Sequence, residues 1–432
     1  MALTRRAGVV ALVGVFVVFV APLGGWMVLY TEGALLIGVI FDLLLAGSVR
    51  RLQVSRYGDT ARRLDDIAQV GMVVVNRGTR PVRGVLRDAW PPSARVSPSR
   101  QRIDLPAGER RRLSAALHPT HRKQLHADRV SVRSVGPLGL AARQGNHDAP
   151  WSLRVLPAFP SRRYLPEKLS RLRLLDGRSA ARIRGHGTEF DSLREYVEGD
   201  DARSIDWRAT ARRSAVVVRT WRPERDRRLV LVLDTGRTSA ARLGAGSRLD
   251  SALDAALLLG ALASKAGDHV DLLAVDDRAR MLMRSSPTGG DALPELLGSM
   301  AELQPRLVET DGRRLAAEVL RRTRHRALVV LFTTLDEAAI TEGILPVLPS
   351  LTAHHMVMVA SVTDPAVLAM AGDYSDAAAV YDAAAAERTM ASARRVGALL
   401  RRLGVDVVEG PPDEFGSKVA DAYLSLKAAG RL

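Results

Sequence analysis

A carboxylate and a hydroxyl stand close together at the end of a continuous apolar segment of this chain. The segment "LVLVLD" ends at Asp234, and "DTGRT" continues it to Thr238. At the end of a strand, such oxygens can ligate a divalent cation, or the carboxylate can act as a nucleophile toward phosphate. A third interpretation is structural, because an aspartate in this position can simply cap the loop that follows.

The cation interpretation is supported by a resemblance. "DTGRT" resembles the metal-ion-dependent adhesion site of von Willebrand factor A domains, in which the oxygens of Asp-x-Ser-x-Ser hold a divalent cation. Gly236 replaces the first hydroxyl here, and Thr238 keeps the second. The resemblance implies a Thr and an Asp from later loops; Thr310 fits the former, while Thr334 stands where the Asp would be. We therefore expect a degenerate site with Asp234, Thr238 and Thr310 as candidate ligands, and weak Mg²⁺ binding or none.

The nucleophile interpretation rests on a second resemblance, to the Asp-x-Asp-x-Thr motif of haloacid-dehalogenase-type phosphotransferases. In that motif the second Asp transfers a proton, and this sequence has Gly236 in its place. A phosphotransferase-like enzyme that uses Asp234 is therefore the alternative function. Several other chemistries are excluded, because the chain has no cysteine and no Gly-Lys dipeptide of a Walker A loop. It also has no G-x-S-x-G elbow and no H-E-x-x-H helix.

A second candidate region is the charged stretch "LREYVEGDDARSIDWRATARR", Leu193–Arg213. It contains five acidic residues, five arginines, one Tyr and one Trp. Catalysis by Asp200 or Asp206 is disfavoured, because flanking arginines keep carboxylates ionised and no His or Lys is present to complete a proton transfer. The stretch can instead brace two domains or dock a partner. As a brace, we expect Asp206 and Arg212 to share a partly buried ion-pair network, with Trp207 as an apolar anchor.

The pattern of apolar runs divides the rest of the chain. In residues 52–160, short runs alternate with Gly, Pro and Asn, which predicts an antiparallel β-sandwich. In residues 228–432, apolar strands alternate with amphipathic helices, which predicts a Rossmann-type parallel sheet with helices on both faces. Residues 161–227 form a linker that includes the charged stretch. Ligands of parallel sheets bind at the carboxyl ends of strands, so we expect the site at Asp234–Thr238, Thr310–Asp311 and Thr333–Asp336.

The N-terminal 51 residues predict a membrane anchor. Only two charges interrupt the stretch from Ala7 to Val49. A bilayer requires about 20 apolar residues per helix, so we expect a transmembrane hairpin with spans of about 7–23 and 28–49. Arginine pairs precede and follow the hairpin, which places both termini of a two-pass inner-membrane protein in the cytoplasm. A cleaved signal peptide is the alternative, although the second apolar run would still anchor the chain.

Asp42 lies inside the second predicted span, where an ionisable residue is costly. We expect it to reach the membrane interface or to pair within a helical dimer.

The net charge of +16 is concentrated in one part of the chain. Residues 50–190 carry 29 basic and 11 acidic side chains. Only five of the 63 basic residues of the whole chain are Lys, so nearly all of the positive charge comes from Arg. No basic strand with interspersed aromatics and no recognition helix accompanies this charge. We therefore expect membrane lipid rather than nucleic acid among the partners.

The charged stretch also carries the clearest family resemblance. "REYVEGDDARSIDWRATAR" closely resembles the signature of the membrane-anchored family known as domain of unknown function 58. The matching residues are Arg194, Glu195, Tyr196, Gly199, Asp200, Asp201, Arg203, Ile205, Asp206, Trp207, Ala211 and Arg212. The resemblance extends over nearly the whole chain, including "VGPLGL" in the β-rich region. It implies a von Willebrand A-like domain and a MoxR-type AAA+ ATPase as partner, which family members are thought to assist.

These observations together predict a non-enzymatic, membrane-anchored adaptor. We expect it to recruit or assist a MoxR-type AAA+ ATPase that remodels or matures client proteins.

Overall fold

The structure is a computed structural model that describes residues 2–20, 25–182, 189–198, 200–212, 215–222, 227–244, 246–284 and 291–432. The chain forms two compact units, Met1–Leu156 and Pro157–Leu432. Each unit has its own buried core.

Two apolar helices begin the first unit, after the short strand β1 (Ala2–Leu3). They are α1 (Arg5–Val20) and α2 (Trp26–Leu45), and they pack against each other. Large apolar side chains on both helices are exposed, among them Phe19 at 89% and Ile37 at 69%. Such surfaces require apolar surroundings. Within the described residues, only the segment from Trp26 to Arg51 is long and apolar enough to cross a membrane.

The C-terminal end of α2 is tied to a turn of the β-rich region. The Asp42 carboxylate accepts hydrogen bonds from the backbone N–H groups of Leu138, Leu140 and Ala141, at 2.7, 2.5 and 3.0 Å. Asp42 is fully buried by these contacts. The expectation that it reaches the membrane interface or pairs in a dimer is therefore wrong, because the "VGPLGL" turn supplies the donors that a buried carboxylate needs.

The remainder of the first unit consists of short strands in two sheets. The strands are β2 (Leu52–Gly58), β3 (Ala61–Arg63), β4 (Ala68–Asn76), β5 (Val82–Asp88), β6 (Val96–Ser97), β7 (Arg100–Leu105), β8 (Arg110–Leu117), β9 (Gln124–Val135) and β10 (Ala141–Leu156). One sheet has the order β1-β10-β9-β5-β7, with β3 on β10, and the other has the order β2-β4-β8-β6. All pairs are antiparallel except β3 with β10. Buried side chains from both sheets form common apolar clusters.

The second unit contains a mixed six-stranded sheet with the order β17-β16-β13-β18-β19-β20. Its strands are β13 (Arg228–Asp234), β16 (His269–Val275), β17 (Ala279–Met283), β18 (Leu328–Phe332), β19 (Met356–Val362) and β20 (Asp406–Gly410). Five strands run parallel, and the edge strand β17 is antiparallel to β16. Successive residues of β13 alternate between two clusters, with Leu231 in one and Val232 in the other. Both faces of the sheet are therefore covered, which explains the continuous apolar sequence of this strand.

Helices cover the sheet and surround the remaining short strands. The helices are α3 (Leu165–Arg182), α4 (Trp207–Thr210), α5 (Arg248–Lys265), α6 (Ala292–Met300), α7 (Gly312–Arg322), α8 (Leu348–Thr352), α9 (Pro365–Ala371), α10 (Ala377–Arg402) and α11 (Pro412–Ala428). The strands are β11 (Glu189–Glu195), β12 (Val217–Arg222), β14 (Arg242–Leu243) and β15 (Gly246–Ser247). Helix α5 is buried along most of its length and begins with a capping box between Ser247 and Asp250. The charged stretch begins within β11 and ends before β12, and these two strands form an antiparallel pair.

Candidate functional site

The carboxyl ends of β13 and β18 bring three polar side chains together. Thr310, in the loop before α7, donates a hydrogen bond to Oδ1 of Asp234 at 2.5 Å. Thr333, just after β18, donates to Oδ2 at 2.6 Å. The backbone N–H of Gly236 also donates to Oδ1, at 2.8 Å. Loops from three places in the sequence therefore meet at one buried carboxylate, as the strand-end rule predicts.

Gly236 is required by this close approach. A Cβ atom at position 236 would lie 2.2 Å from the Thr310 hydroxyl oxygen. The direct contact between Thr310 and Asp234 is therefore possible only because residue 236 has no side chain. Thr310, which the sequence suggested as a cation ligand, donates a hydrogen bond to the carboxylate in this structure.

Arg248, the first residue of α5, points into the same strand-end region. Its Nη1 donates to the backbone carbonyl of Thr238 at 3.2 Å and to the Thr334 hydroxyl at 3.3 Å. Burial lowers the pKa of the guanidinium, while the charges of Asp364, Asp336 and, more weakly, Asp234 raise it. A fixed positive charge thus stands among the acidic groups of these loops.

The sequence interpretation missed Arg248. A signal for Arg248 exists, since a basic residue in the first turn of a helix opposes the helix dipole and needs a compensating reason. Its long side chain reaches from α5 to the strand ends, whereas the prediction considered only the loops that follow strands. Thr333 lies in the predicted strand-end segment Thr333–Asp336, although the sequence did not single it out as a partner of Asp234.

The oxygens of this cluster mostly face hydrogen-bond donors. Both Asp234 oxygens accept hydrogen bonds from neighbouring residues, and Thr238 contributes its backbone carbonyl to Arg248. Among the described residues, no group of three or more His, Cys, Asp or Glu side chains is placed to hold a metal ion. A groove of about 760 Å³ opens beside the cluster, and its walls include Arg248, Asp336 and Asp364.

The charged stretch forms a small structure held together by its own ion pairs. Arg194 binds Asp200 through two hydrogen bonds, at 2.7 and 2.6 Å. Asp201 caps the turn Ala202–Ser204 by accepting from the backbone N–H of Arg203. These contacts connect residues that are close in sequence, so they shape the stretch locally.

Asp206 has two functions in this small structure. It caps α4 by accepting from the backbone N–H groups of Arg208 and Ala209, at 3.0 and 2.9 Å. It also pairs with Arg219 of β12 at 2.8 Å. The Ala209 N–H, followed by Arg219, lowers the pKa of Asp206. The expected pair between Asp206 and Arg212 is therefore wrong, because the Asp206 N–H donates to the Val217 carbonyl and its carboxylate pairs with Arg219 of the same strand.

Trp207 is exposed, contrary to the expectation of an anchored aromatic. Its exposed fraction is 70%, and that of Val197 is 61%. Helix α4 is only four residues long, so it has no extended face to bury. Tyr196 and Val216 are also exposed, at 39% and 41%, and they are adjacent because the Tyr196 N–H donates to the Val216 carbonyl. We call Tyr196, Val197, Trp207 and Val216 the apolar tip.

The remaining predicted signature residues fall around this tip. Glu195 ends β11, and Ile205 forms a bridge with Val218 of β12. Arg203 and Arg212 are exposed. Gly199 lies outside the described residues.

Both candidate regions lie within one family match. Residues 192–396 match the family described as "Protein of unknown function DUF58". This part of the chain is thus similar to that family. The matched region begins in β11, includes the apolar tip and extends past the Asp234 cluster to α10. No curated protein matches the chain.

Several solved structures are similar to parts of the chain. One is the conserved hypothetical protein BatB from Bacteroides thetaiotaomicron, at 13% identity, 47% of this chain, 99% of that chain and a TM-score of 0.29. Another is an aerotolerance-related membrane protein from Bacteroides fragilis NCTC 9343, at 13% identity, 45% and 99% coverage and a TM-score of 0.26. A third is proximal thread matrix protein 1 from the mussel byssus, described with a zinc-occupied MIDAS motif, at 10% identity, 47% and 46% coverage and a TM-score of 0.25.

Proposed function

We propose that this protein is a membrane-anchored adaptor without enzymatic activity of its own. In this proposal the apolar tip docks a MoxR-type AAA+ ATPase or its client at the cytoplasmic face of the membrane. The observation that supports it best is the exposure of Trp207. This residue lies between strands β11 and β12, in a region held together by its own ion pairs. A preformed surface with an exposed aromatic binds a partner without a large cost for ordering it.

The ion pairs of the stretch support docking rather than a brace between domains. One ion pair joins Arg194 to Asp200, and another joins Asp206 to Arg219. Both connect parts of the region from β11 to β12. Their local character leaves the tip free to contact another protein. The acidic and basic side chains around the tip would then form the polar rim that surrounds an apolar interface centre.

The anchoring part of the proposal is a two-pass hairpin with both termini in the cytoplasm. The exposed apolar surfaces of α1 and α2 support it, as does the length of the segment Trp26–Arg51. Helix α1 has 16 residues, and at 1.5 Å per residue it is shorter than a bilayer core of about 30 Å. Residues 21–24, into which the first predicted span continues, lie outside the described residues.

We further propose that the Asp234 cluster works without a divalent cation. In von Willebrand A-like domains with the complete metal-ion-dependent adhesion site, a metal ion supplies a positive charge. Arg248 would supply that charge here. The groove beside the cluster would then recognise its ligand through fixed hydrogen-bond donors and acceptors. The phosphotransferase alternative lacks a proton-transfer group at Gly236, and the Asp234 oxygens already accept three hydrogen bonds.

A capture experiment tests the proposed function. The full-length chain is solubilised from native membranes, and proteins that co-purify with the wild type are compared with those of Trp207→Ala. Tyr381→Ala is the matched control, because Tyr381 is 79% exposed on α10, far along the chain from the tip. We expect a MoxR-type ATPase with the wild type and the control, and its loss with Trp207→Ala. Phosphate release or an aspartyl phosphate on the purified protein would favour the enzyme instead.

A further inference from the structure

A basic groove lies at the end of helix α2. The groove has a volume of about 800 Å³, and its lining includes Leu45, the last residue of α2. Three arginines also line it: Arg83 of β5, Arg102 of β7 and Arg111 of β8. The groove therefore begins where the apolar helix ends and the excess positive charge of the first unit begins.

Strand pairing places two of these arginines on the same face of a sheet. Arg83 lies opposite Asp104, and Val85 lies opposite Arg102, on the antiparallel pair β5–β7. Val82 and Leu86 are buried and point to the other face, so Arg83 and Val85 point outward by alternation. Arg83 and Arg102 are consequently diagonal neighbours on one surface, at a distance that a single anion can bridge.

The charge of the groove is positive after its internal pairing is counted. Arg83 forms an ion pair with Asp104 at 3.1 Å, and both side chains remain more than half exposed, at 68% and 59%. Arg111 donates to the backbone carbonyl of Asp104 at 3.3 Å, which leaves its charge uncompensated by that contact. Three guanidinium groups thus face one carboxylate, and guanidinium groups bind phosphate oxygens in a planar, two-point manner.

The walls of the groove are also apolar in part. Besides Leu45, Val135 and Pro137 contribute to its lining. Apolar walls beside phosphate-binding groups suit a ligand with both characters. An anionic phospholipid has this combination, because its phosphate is attached to a glycerol and acyl chains that remain at the membrane surface.

The end of α2 is held firmly enough to keep this geometry. Arg143 Nε donates to the Leu43 carbonyl at 2.9 Å, and Arg80 donates to the Leu44 carbonyl. The Asp42 carboxylate is held by the turn that follows β9. The helix end and the three arginine-bearing strands are therefore parts of one packed unit.

We propose that this groove binds the headgroup of an anionic phospholipid at the cytoplasmic membrane surface. The inference rests on the proposed membrane anchoring, and it adds a ligand site to it. Bound lipid would fix the orientation of the β-rich region relative to the bilayer.

The test measures the melting temperature of the full-length chain in detergent as short-chain lipid is added. Dihexanoyl phosphatidylglycerol is compared with dihexanoyl phosphatidylcholine and with inorganic phosphate. The variant Arg83→Gln/Arg102→Gln removes two groove charges. The matched control is Arg110→Gln/Arg112→Gln, since these exposed arginines flank Arg111 on the opposite face of β8. Both double variants change the net charge equally.

We expect phosphatidylglycerol, but not phosphatidylcholine, to raise the melting temperature of the wild type and the control by about 2 °C or more. The shift should be absent in Arg83→Gln/Arg102→Gln. An equal shift in all three proteins, or none in any, would overturn the site. An equal shift with inorganic phosphate would show a phosphate site and overturn the lipid assignment. Release of the chain from membranes by carbonate would overturn the proposed anchoring, a result independent of these shifts.

Discussion

Asp206 and Arg219 form an ion pair of 2.8 Å that closes the charged stretch onto strand β12. The same carboxylate caps helix α4, whose first residue is the exposed Trp207. One aspartate therefore sets the position of the aromatic side chain that we propose as the centre of the docking surface. Changes at Asp206 should act on the local structure of the tip more than on the global fold.

Asp206→Ala should loosen α4 without unfolding the protein. It removes both the cap and the ion pair, so the backbone amides of Arg208 and Ala209 lose their acceptor. We expect faster hydrogen exchange at these two amides and an unchanged global melting transition. Asp206→Asn is the control, because an amide oxygen still caps the helix and only the ion pair is lost. A large fall in melting temperature for Asp206→Ala would instead support a brace between domains.

Gly236→Ser should destabilise the domain and should not create a metal site. The new side chain would collide with the Thr310 hydroxyl, and forcing extra atoms into a packed region costs about 1–3 kcal/mol. Denaturant unfolding measures this cost. Gly343→Ser is the matched control, because a Cβ there has its nearest contact at 3.7 Å. Calorimetry with Mg²⁺ should show no binding to either variant or to the wild type; micromolar affinity would contradict the proposed role of Arg248.

The burial of Asp254 predicts a specific pH dependence of stability. Desolvation raises its pKa from 3.8 to about 6, although hydrogen bonds from Ser161 partly oppose the shift. The folded state therefore binds a proton more tightly than the unfolded state, and this contribution to stability is lost as pH rises from about 4 to 6. Two pKa units correspond to about 3 kcal/mol.

Asp254→Asn should remove that contribution. The difference in unfolding free energy between pH 4.5 and pH 7 should change by about 1–3 kcal/mol relative to the wild type, in the direction of greater relative stability at pH 7. Asp382→Asn, at an exposed position of α10, should leave the wild-type pH profile unchanged. Parallel profiles for Asp254→Asn and the wild type would show that Asp254 titrates normally.

The proposed topology predicts the location of the C-terminus. Arginine pairs flank the apolar N-terminal region, and they favour the cytoplasmic side for both ends. A phosphatase that is active only outside the cytoplasm, fused after Leu432, should remain silent. A fluorescent protein that folds in the cytoplasm should be bright at the same position. Strong phosphatase activity would contradict the two-pass hairpin.

Much of the second unit could be predicted from sequence because its strands are buried on both faces. The continuous apolar sequence Leu229–Leu233 is typical of a buried strand. The carboxyl ends of such parallel strands meet at one edge of the sheet. The contacts of Asp234 with Thr310 and Thr333 follow from that rule. Arg248 does not, because its position depends on the length of a side chain and the start of a helix rather than on a strand end.

The charged stretch was less predictable for a different reason. Its residues alternate in charge, so several pairings are equally compatible with the sequence. Asp206 meets Arg219 rather than Arg212 because the Asp206 N–H donates to the Val217 carbonyl, next to the bridge between Ile205 and Val218. The exposure of Trp207 likewise depends on α4 ending after a single turn. The contacts of Asp42 could not be predicted from local sequence either, because its partners lie almost 100 residues away in the chain.

Measuring unfolding and partner binding on the same proteins shows whether the apolar tip is a docking surface. Trp207→Ala and Tyr381→Ala are compared with the wild type for melting temperature and for affinity to a purified MoxR-type ATPase from the same organism. Surface substitutions usually change stability by less than about 0.5 kcal/mol, whereas loss of an aromatic interface centre weakens binding about tenfold or more. We expect unchanged melting for both variants and weakened binding for Trp207→Ala alone. Unchanged binding by Trp207→Ala would contradict the proposed docking surface.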